Sequence, residues 1–136
     1  MKQHQFFSFV LALVFLAGCG GNPSLKGTVT FSDDGSPVPV GVINFETDSS
    51  FSRGTLKSDG TYLVGTLSEN DGIPPGTYRV SIVGAVRDTG RVEYNEPVME
   101  PLIDEKYSSG TTSGLTLTVP APQGVYDIQV ERYVPK

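Results

Sequence analysis

The two side chains with the most distinctive chemistry, the single histidine and the single cysteine, both lie near the N-terminus, at His4 and Cys19. With no second cysteine, Cys19 has no disulfide partner within the chain, which leaves a free thiol or an acylated one. Residues 20–136 offer only carboxylates, amines, guanidinium groups and hydroxyls. That inventory excludes histidine triads, cysteine nucleophiles and the usual His/Cys zinc sites from this part of the chain.

The segment before the cysteine has the layout of a secretion signal. Lys2 precedes an almost wholly apolar stretch at residues 6–17. About a dozen apolar residues suit the core of a signal peptide, whereas a membrane-spanning helix needs roughly 20. The stretch ends in Leu16-Ala17-Gly18-Cys19. This motif resembles the lipobox of bacterial lipoproteins, in which the peptidase cuts between the equivalents of Gly18 and Cys19.

The resemblance implies a lipid-anchored protein with three parts: a signal peptide at residues 1–18, a flexible tether at 19–24 and a domain at 25–136. It also implies a diacylglyceryl group and an N-acyl chain, such as palmitate, on Cys19, which together anchor a protein stably to a bilayer. Gly20 stands where many such lipoproteins carry an inner-membrane retention Asp, so we expect outer-membrane attachment facing the periplasm. The alternatives are an ordinary secretory signal with a coincidental cysteine, or an uncleaved anchor helix.

The composition and net charge of the chain limit the kinds of partner that it can bind. The chain has 16 glycines, 10 prolines, no tryptophan and a formal charge of -5. Nucleic-acid binding requires clustered Lys and Arg, so we expect no nucleic-acid partner. The same charge would repel an anionic membrane surface, so any membrane association is expected to come from something other than basic residues.

The pattern of apolar and polar residues predicts an all-β domain. Alternation with period two, separated by glycine-containing turns, is typical of half-buried strands. Seven such strands are predicted, at residues 25–31, 42–47, 54–57, 61–66, 77–83, 115–119 and 126–130. Their number and spacing favour an antiparallel Greek-key β-sandwich. Residues 85–114 show no strong periodicity and are predicted to be a long loop that is functional or covers a sheet edge.

Four segments in order resemble the carboxypeptidase regulatory-like domain, a transthyretin-like (prealbumin-like) β-sandwich. They lie within residues 26–29, 34–45, 58–62 and 73–80 and have the sequences KGTV, DGSPVPVGVINF, SDGTY and IPPGTYRV. Tyr78 in the last segment is expected to close the sandwich end, with its hydroxyl bound to a backbone group. This family carries no catalytic residues of its own, so the resemblance implies a non-catalytic module without a cofactor.

Three groups of side chains are candidates for binding or catalysis. Lys106 and Tyr107, with Tyr94, Tyr126 and Tyr133, could form an aromatic surface for a glycan or protein, or could be core and edge-covering residues. The Asp-Gly turns at residues 33–35, 59–60 and 69–72 could bind Ca²⁺ or simply be turns. A pair of carboxylates for glycoside cleavage could come from Glu100, Asp104 and Glu105, although exposed loop acids are common.

Three functions are compatible with these observations. The leading hypothesis is a non-catalytic interaction or structural module of the cell envelope, held at the membrane and binding an unidentified envelope protein or polysaccharide through the long loop or a strand edge. A carrier of a small apolar ligand would require an internal cavity. An accessory subunit of an envelope peptidase is the third hypothesis, because modules of this family often accompany peptidases.

Overall fold

The computed structural model describes residues 21–68 and 70–136, and within them the protein is all-β without an α-helix. Alternation of apolar and polar residues accounts for most of its strands, because every second side chain faces the core. Nine strands form: β1 (Lys26–Phe31), β2 (Val42–Glu46), β3 (Phe51–Thr55), β4 (Thr61–Gly65), β5 (Gly76–Val83), β6 (Val86–Glu93), β7 (Glu96–Pro101), β8 (Leu115–Val119) and β9 (Ile128–Val130).

Seven strands form one curled sheet in the order β8-β5-β2-β3-β4-β1-β9, and β6 pairs with β7 in a separate hairpin. The sheet is mixed, because β9 pairs parallel to β1 with Val29 opposite Ile128. The purely antiparallel arrangement predicted from the sequence is therefore wrong at this edge. Strand alternation reports which face is buried but carries no information on the direction of the neighbouring strand.

The core lies on the concave side of the curled sheet. Phe45 on β2 faces both Tyr62 on β4 and Tyr126 before β9. The centroid of the Phe45 ring lies 6.2 Å from that of Tyr62 and 6.5 Å from that of Tyr126. These contacts join strands that are distant in the sheet order, so the curl closes over a common interior. The largest side chains with almost no exposure are Tyr62, Tyr78, Phe45, Leu25, Ile43, Ile73 and Ile82. Tyr78 donates its hydroxyl hydrogen to the Pro74 carbonyl at 2.7 Å, the kind of backbone partner expected for it.

Residues 85–114 are more ordered than the sequence predicts. They contain β6, β7 and a short 3-10 helix at Glu105–Ser108. The prediction of a long loop without secondary structure is therefore wrong. The predicted strand at 54–57 is also displaced, since β3 occupies Phe51–Thr55. We refer below to residues 86–101, strands β6 and β7 with their turn, as the arm.

The chain direction places the arm and the N-terminal segment at opposite ends of β5. The loop at residues 66–75 leads into Gly76, and the arm begins three residues after Val83. Eight residues of strand span about 26 Å. The end that contains residues 21–25, 47–50, 66–75 and 120–125 is named the tether pole, because the chain leaves it toward Cys19.

Residues 22–25 lie against the loop of the tether pole. Ile73 donates its backbone N–H to the Pro23 carbonyl at 3.0 Å, and Val64 donates to the Leu25 carbonyl at 3.0 Å. Gly72 has a φ of +86°, and a Cβ there would lie 2.6 Å from the Pro23 carbonyl oxygen. Glycine is therefore required for both the backbone conformation and the close approach. The predicted signal peptide, cleavage site and Cys19 lie outside the described residues.

Candidate functional site

The arm is the most exposed ordered element of the domain. Its two strands pair with each other and, within residues 21–68 and 70–136, with no strand of the main sheet. Most of its side chains are exposed, including Val92 on β6 and Met99 on β7. A two-stranded ribbon contributes little apolar burial of its own. Packing against the core therefore does not account for the sequence of the arm.

The tip of the arm holds a tyrosine in an uncommon backbone conformation. Tyr94 and Asn95 have φ values of 51° and 65° and connect Glu93 to Glu96, which are opposite each other in the register. Two consecutive residues with positive φ define the tight turn that Asn-Gly sequences favour. Asn tolerates this region, whereas Tyr is seldom found there. Tyr94 is 99% exposed, so no contact with the described part of the domain compensates.

The two faces of the arm differ in chemistry. The register places Val86 opposite Pro101, Asp88 opposite Met99 and Val92 opposite Pro97. Since directly paired residues share a face, one face is apolar apart from Asp88. The other face is polar: the Nε of Arg87 donates to Glu100 Oε2 at 2.9 Å, and Thr89 Oγ1 donates to the Val98 carbonyl at 2.8 Å.

The two free edges of the arm are unequal. Pro97 and Pro101 have no backbone N–H, so β7 has few donors for a further strand. Strand β6 carries an irregularity between Asp88 and Val92, where Gly90 adopts a φ of +76°. Bulges and edge prolines both discourage indiscriminate strand pairing. The arm is therefore built to be exposed without acting as a general template for aggregation.

The base of the arm is fixed to the core. Leu102 donates its N–H to the Ala85 carbonyl at 2.8 Å, and Tyr133 donates to the Leu102 carbonyl at 3.1 Å. Ile103 forms a bridge with Arg132, and both Ala85 and Ile103 are buried. An open cleft of about 490 Å³ lies beside the arm, and Arg87, Arg91 and Tyr133 are among its lining residues.

The structure separates the residues of the predicted aromatic surface. Tyr107 is only 5% exposed and lies in the core, where its hydroxyl accepts the Glu131 N–H at 3.1 Å. Lys106 donates to Glu131 Oε2 at 2.8 Å, and this hydrogen bond raises the pKa of the lysine. Tyr94 lies in the turn at the far end of the arm, eight residues after Val86 and seven before Pro101. Of the three residues predicted for binding, only Tyr94 presents its ring to solvent.

The two remaining tyrosines of that prediction occupy different environments. Tyr126 is half-buried against Phe45, and burial raises its pKa. Its backbone carbonyl accepts the hydroxyl of Tyr62, whose pKa is also raised by burial. Tyr133 lines the cleft beside the arm. Tyr126 therefore serves mainly in packing, whereas Tyr133 is accessible near the arm.

The aspartates of the Asp-Gly turns are bound by their own turns. Asp34 accepts from the side chain and the backbone N–H of Ser36, and these hydrogen bonds lower its pKa to about 2. Asp59 binds Thr61 in the same way. Asp71 accepts the N–H groups of residues 66, 67 and 68. Within the described residues, no group of three or more His, Cys, Asp or Glu side chains is arranged to hold a metal ion.

The acids considered for glycoside cleavage have other contacts. Glu100 pairs with Arg87, and Asp104 accepts the Lys106 N–H at 2.9 Å at the start of the 3-10 helix. Glu105 is exposed in that helix. Two of the three carboxylates therefore have structural roles.

Neither the hairpin of the arm nor the exposure of Leu67 at the tether pole was predicted from the sequence. The available signal for the arm was the pair of polar-rich segments on either side of Tyr94-Asn95.

In the described residues, no helix is long and apolar enough to cross a membrane. No family model matches the chain, and neither a curated protein nor a solved structure matches it.

Proposed function

We propose that this chain is a bacterial lipoprotein, acylated at Cys19, whose domain is a non-catalytic interaction module of the cell envelope. The proposed location is the outer membrane, with the domain in the periplasm. The lipid anchor rests on the sequence Leu16-Ala17-Gly18-Cys19. The arm is the observation that supports the interaction, because it exposes apolar surface that the core does not use.

The tip of the arm is suited to act as the first contact with a protein or polysaccharide. A fully exposed Tyr94 offers a rigid aromatic surface with a polar end, a side chain that is enriched at binding interfaces. Left-handed backbone at a residue other than Gly or Asn is unfavourable, and such strain clusters at functional sites. The two turn residues also direct the ring away from the domain, so little reorganisation is needed on binding.

The interior of the domain favours this proposal over a carrier of small apolar ligands. Core side chains such as Val29, Val64 and Val80 have no exposed surface. The cleft of about 490 Å³ is open and lies beside the arm rather than inside the sheet. A partner that is an envelope peptidase would make the protein an accessory subunit, which is a special case of the same interaction.

We further propose that the curled sheet is a variant of the transthyretin-like sandwich of carboxypeptidase regulatory-like domains. The four segments that resemble the family lie in β1 to β5 and their turns. The arm would then be an insertion between the fifth strand and the last two strands. In this proposal the shared scaffold supports the domain and the inserted arm provides its specificity.

The partner interaction is tested by photo-crosslinking in living cells. A photo-reactive amino acid at position 94 of the full chain is expected to give a discrete adduct with an envelope protein or polysaccharide. The same group at position 48 is the control, because the Asp48 side chain is 97% exposed but lies at the opposite pole. The same protein or polysaccharide adduct at both positions, or none at position 94, would argue against the arm as the binding element.

The lipid anchor is tested by intact mass and membrane fractionation of the wild type beside Cys19→Ser. We expect the wild type to gain the mass of the acyl groups and to pellet with membranes. The variant should do neither. A wild-type protein that stays soluble at the mass of a plain chain contradicts the lipoprotein proposal and the proposed location.

A further inference from the structure

Two exposed apolar side chains, Phe51 and Leu67, lie at the tether pole. Strand β3 begins at Phe51, and strand β4 ends at Gly65, which pairs with Arg53. A hydrogen bond of 2.8 Å between Ser52 Oγ and Thr66 Oγ1 joins the two segments at this end of the ribbon. Phe51 is 48% exposed and Leu67 is 94% exposed. An almost fully exposed leucine is unfavourable in water.

The loop that carries Leu67 is held in a defined shape. Asp71 accepts the N–H groups of Thr66 at 2.6 Å and of Leu67 and Ser68 at 3.0 Å each. These hydrogen bonds stabilise the charged carboxylate and lower the pKa of Asp71. The loop thus presents Leu67 outward through its own backbone contacts.

The chain between Cys19 and the domain is too short to hold the tether pole far from the lipid. Pro23 accepts the N–H of Ile73, and a Cβ on Gly72 would lie 2.7 Å from the Asn22 carbonyl oxygen. Asn22 is therefore in contact with the loop at residues 66–73. Three peptide units separate Asn22 from Cys19, which span at most about 11 Å. Acyl chains on Cys19 would bring the bilayer surface to this pole.

The charges near the patch fit a lipid surface. Arg53 and Lys26 are exposed on the same outer face, Arg53 two residues from Phe51 and Lys26 paired with Leu63 of β4. Long basic side chains beside apolar anchors reach lipid phosphates while their stems remain in contact with apolar groups. Of the described acids near this pole, Asp48 pairs with Arg79 at 3.4 Å, Asp71 accepts backbone N–H groups of the loop, and Glu46 lies opposite Phe51 in the register.

We infer that the tether pole rests on the bilayer to which Cys19 is attached, with Leu67 and Phe51 inserted among the lipid headgroups and Arg53 at the phosphates. This inference rests on the proposed acylation of Cys19. It fixes the orientation of the domain: β5 points away from the membrane, and the arm is presented to the periplasm. The acyl chains and the two side chains then act as neighbouring contacts with one surface.

The test uses full-length acylated protein with a fluorescent label at Leu67→Cys. Acylation blocks the thiol of Cys19, so the introduced cysteine is the only one available for labelling. The protein is reconstituted in vesicles of phosphatidylethanolamine and phosphatidylglycerol that contain a lipid spin-labelled near its headgroup. Tyr94→Cys provides the matched control, because both positions are almost fully exposed in the domain.

We expect quenching at position 67 to be several-fold stronger than at position 94. Equal quenching at the two positions, in protein that carries acyl mass and pellets with the vesicles, overturns the orientation but leaves the lipoprotein proposal intact. Protein that lacks acyl mass and does not pellet overturns both. A Leu67→Asp change in the anchored protein should also raise the access of a water-soluble quencher to a label at Phe51→Cys by at least twofold.

Discussion

The arm and the tether pole both expose apolar side chains, but they differ in how the domain supports them. Leu67 lies on a loop whose backbone is bound by Asp71 and which packs against Pro23. Tyr94 lies on a hairpin whose strands contact mainly each other. The tether pole is therefore continuous with the core, whereas the arm is fixed only at its base.

This difference is compatible with the two interactions proposed above, one with a bilayer and one with a partner. A surface that stays beside one partner, such as a bilayer held close by a lipid anchor, benefits from a rigid shape. A hairpin that contacts a partner away from the domain surface needs to project into solvent, and its local stability can be low. The arm should therefore be less stable than the tether pole, and substitutions in the two regions should have different effects.

The largest expected difference is between a core strand and the arm. Ile82 on β5 is buried and paired with Ile43, so Ile82→Ala should lower the free energy of unfolding by about 2–5 kcal/mol. Val92→Ala on the arm should change it by less than about 0.5 kcal/mol. Both values are measured by denaturant unfolding in the Cys19→Ser background. A large effect of Val92→Ala would show that the arm is part of the cooperative core.

Two glycines with similar backbone conformations provide the second test. Gly72 and Gly90 have φ values of +86° and +76°, but a Cβ would meet Pro23 only at Gly72, and nothing lies within 4 Å at Gly90. Gly72→Ala should therefore destabilise the domain by about 2–4 kcal/mol, from backbone strain and overpacking together. Gly90→Ala should affect only the arm. Thermal unfolding that shows equal effects would contradict this assignment.

Acid should loosen the tether pole before the core. Hydrogen bonds from the N–H of Thr66 and its neighbours depress the pKa of Asp71 below its ordinary value of 3.8. A depressed pKa in the folded state stabilises the loop above that ordinary value, and the contribution is lost as the pH falls below it. The protection of the amides of residues 66–68 against hydrogen exchange, relative to the intrinsic exchange rate at each pH, should fall in acid, and Asp71→Asn should reproduce this at neutral pH.

The control for the acid test lies on the arm. Asp88 accepts the Gly90 N–H at 2.8 Å, so Asp88→Asn should accelerate exchange on the arm alone. Acceleration at residues 66–68 in this variant would indicate that the two regions are coupled.

The smallest expected effect concerns the turn of the arm. Asn95→Gly introduces the residue that best tolerates a positive φ and keeps the Tyr94 side chain. We expect the arm to gain a few tenths of a kcal/mol in local stability, seen as slower amide exchange in β6 and β7. The unfolding midpoint of the whole domain should not change. Faster exchange would show that the side chain of Asn95 stabilises the turn.

The half-buried strands were predictable because one face of each meets the core. The predicted strand at 115–119 coincides with β8, and the strand at 77–83 differs from β5 by one residue. The arm was not predictable from alternation, because most of its side chains are exposed and its burial pattern has no period. Its turn, Tyr94-Asn95, also lacks the glycine that usually marks a two-residue hairpin.

The candidate site was predictable only in part. Tyr94 was identified as a binding candidate, and its exposure in the structure is compatible with that hypothesis. Tyr107 was predicted to belong to the same aromatic surface, but it is buried in the 3-10 helix and packs in the core. Leu67 was not identified, because its significance depends on the docking of residues 22–25, a contact between distant parts of the chain.

The parallel pairing of β1 and β9 has a mechanical consequence. Strand β1 begins at the tether pole, and the chain leaves β9 toward the base of the arm. A pulling force between the lipid and a partner on the arm would load this pair along the strand axes. Its hydrogen bonds would then be sheared together rather than opened one after another. We expect single-molecule stretching along this axis to require a higher force than peeling β8 from the opposite sheet edge.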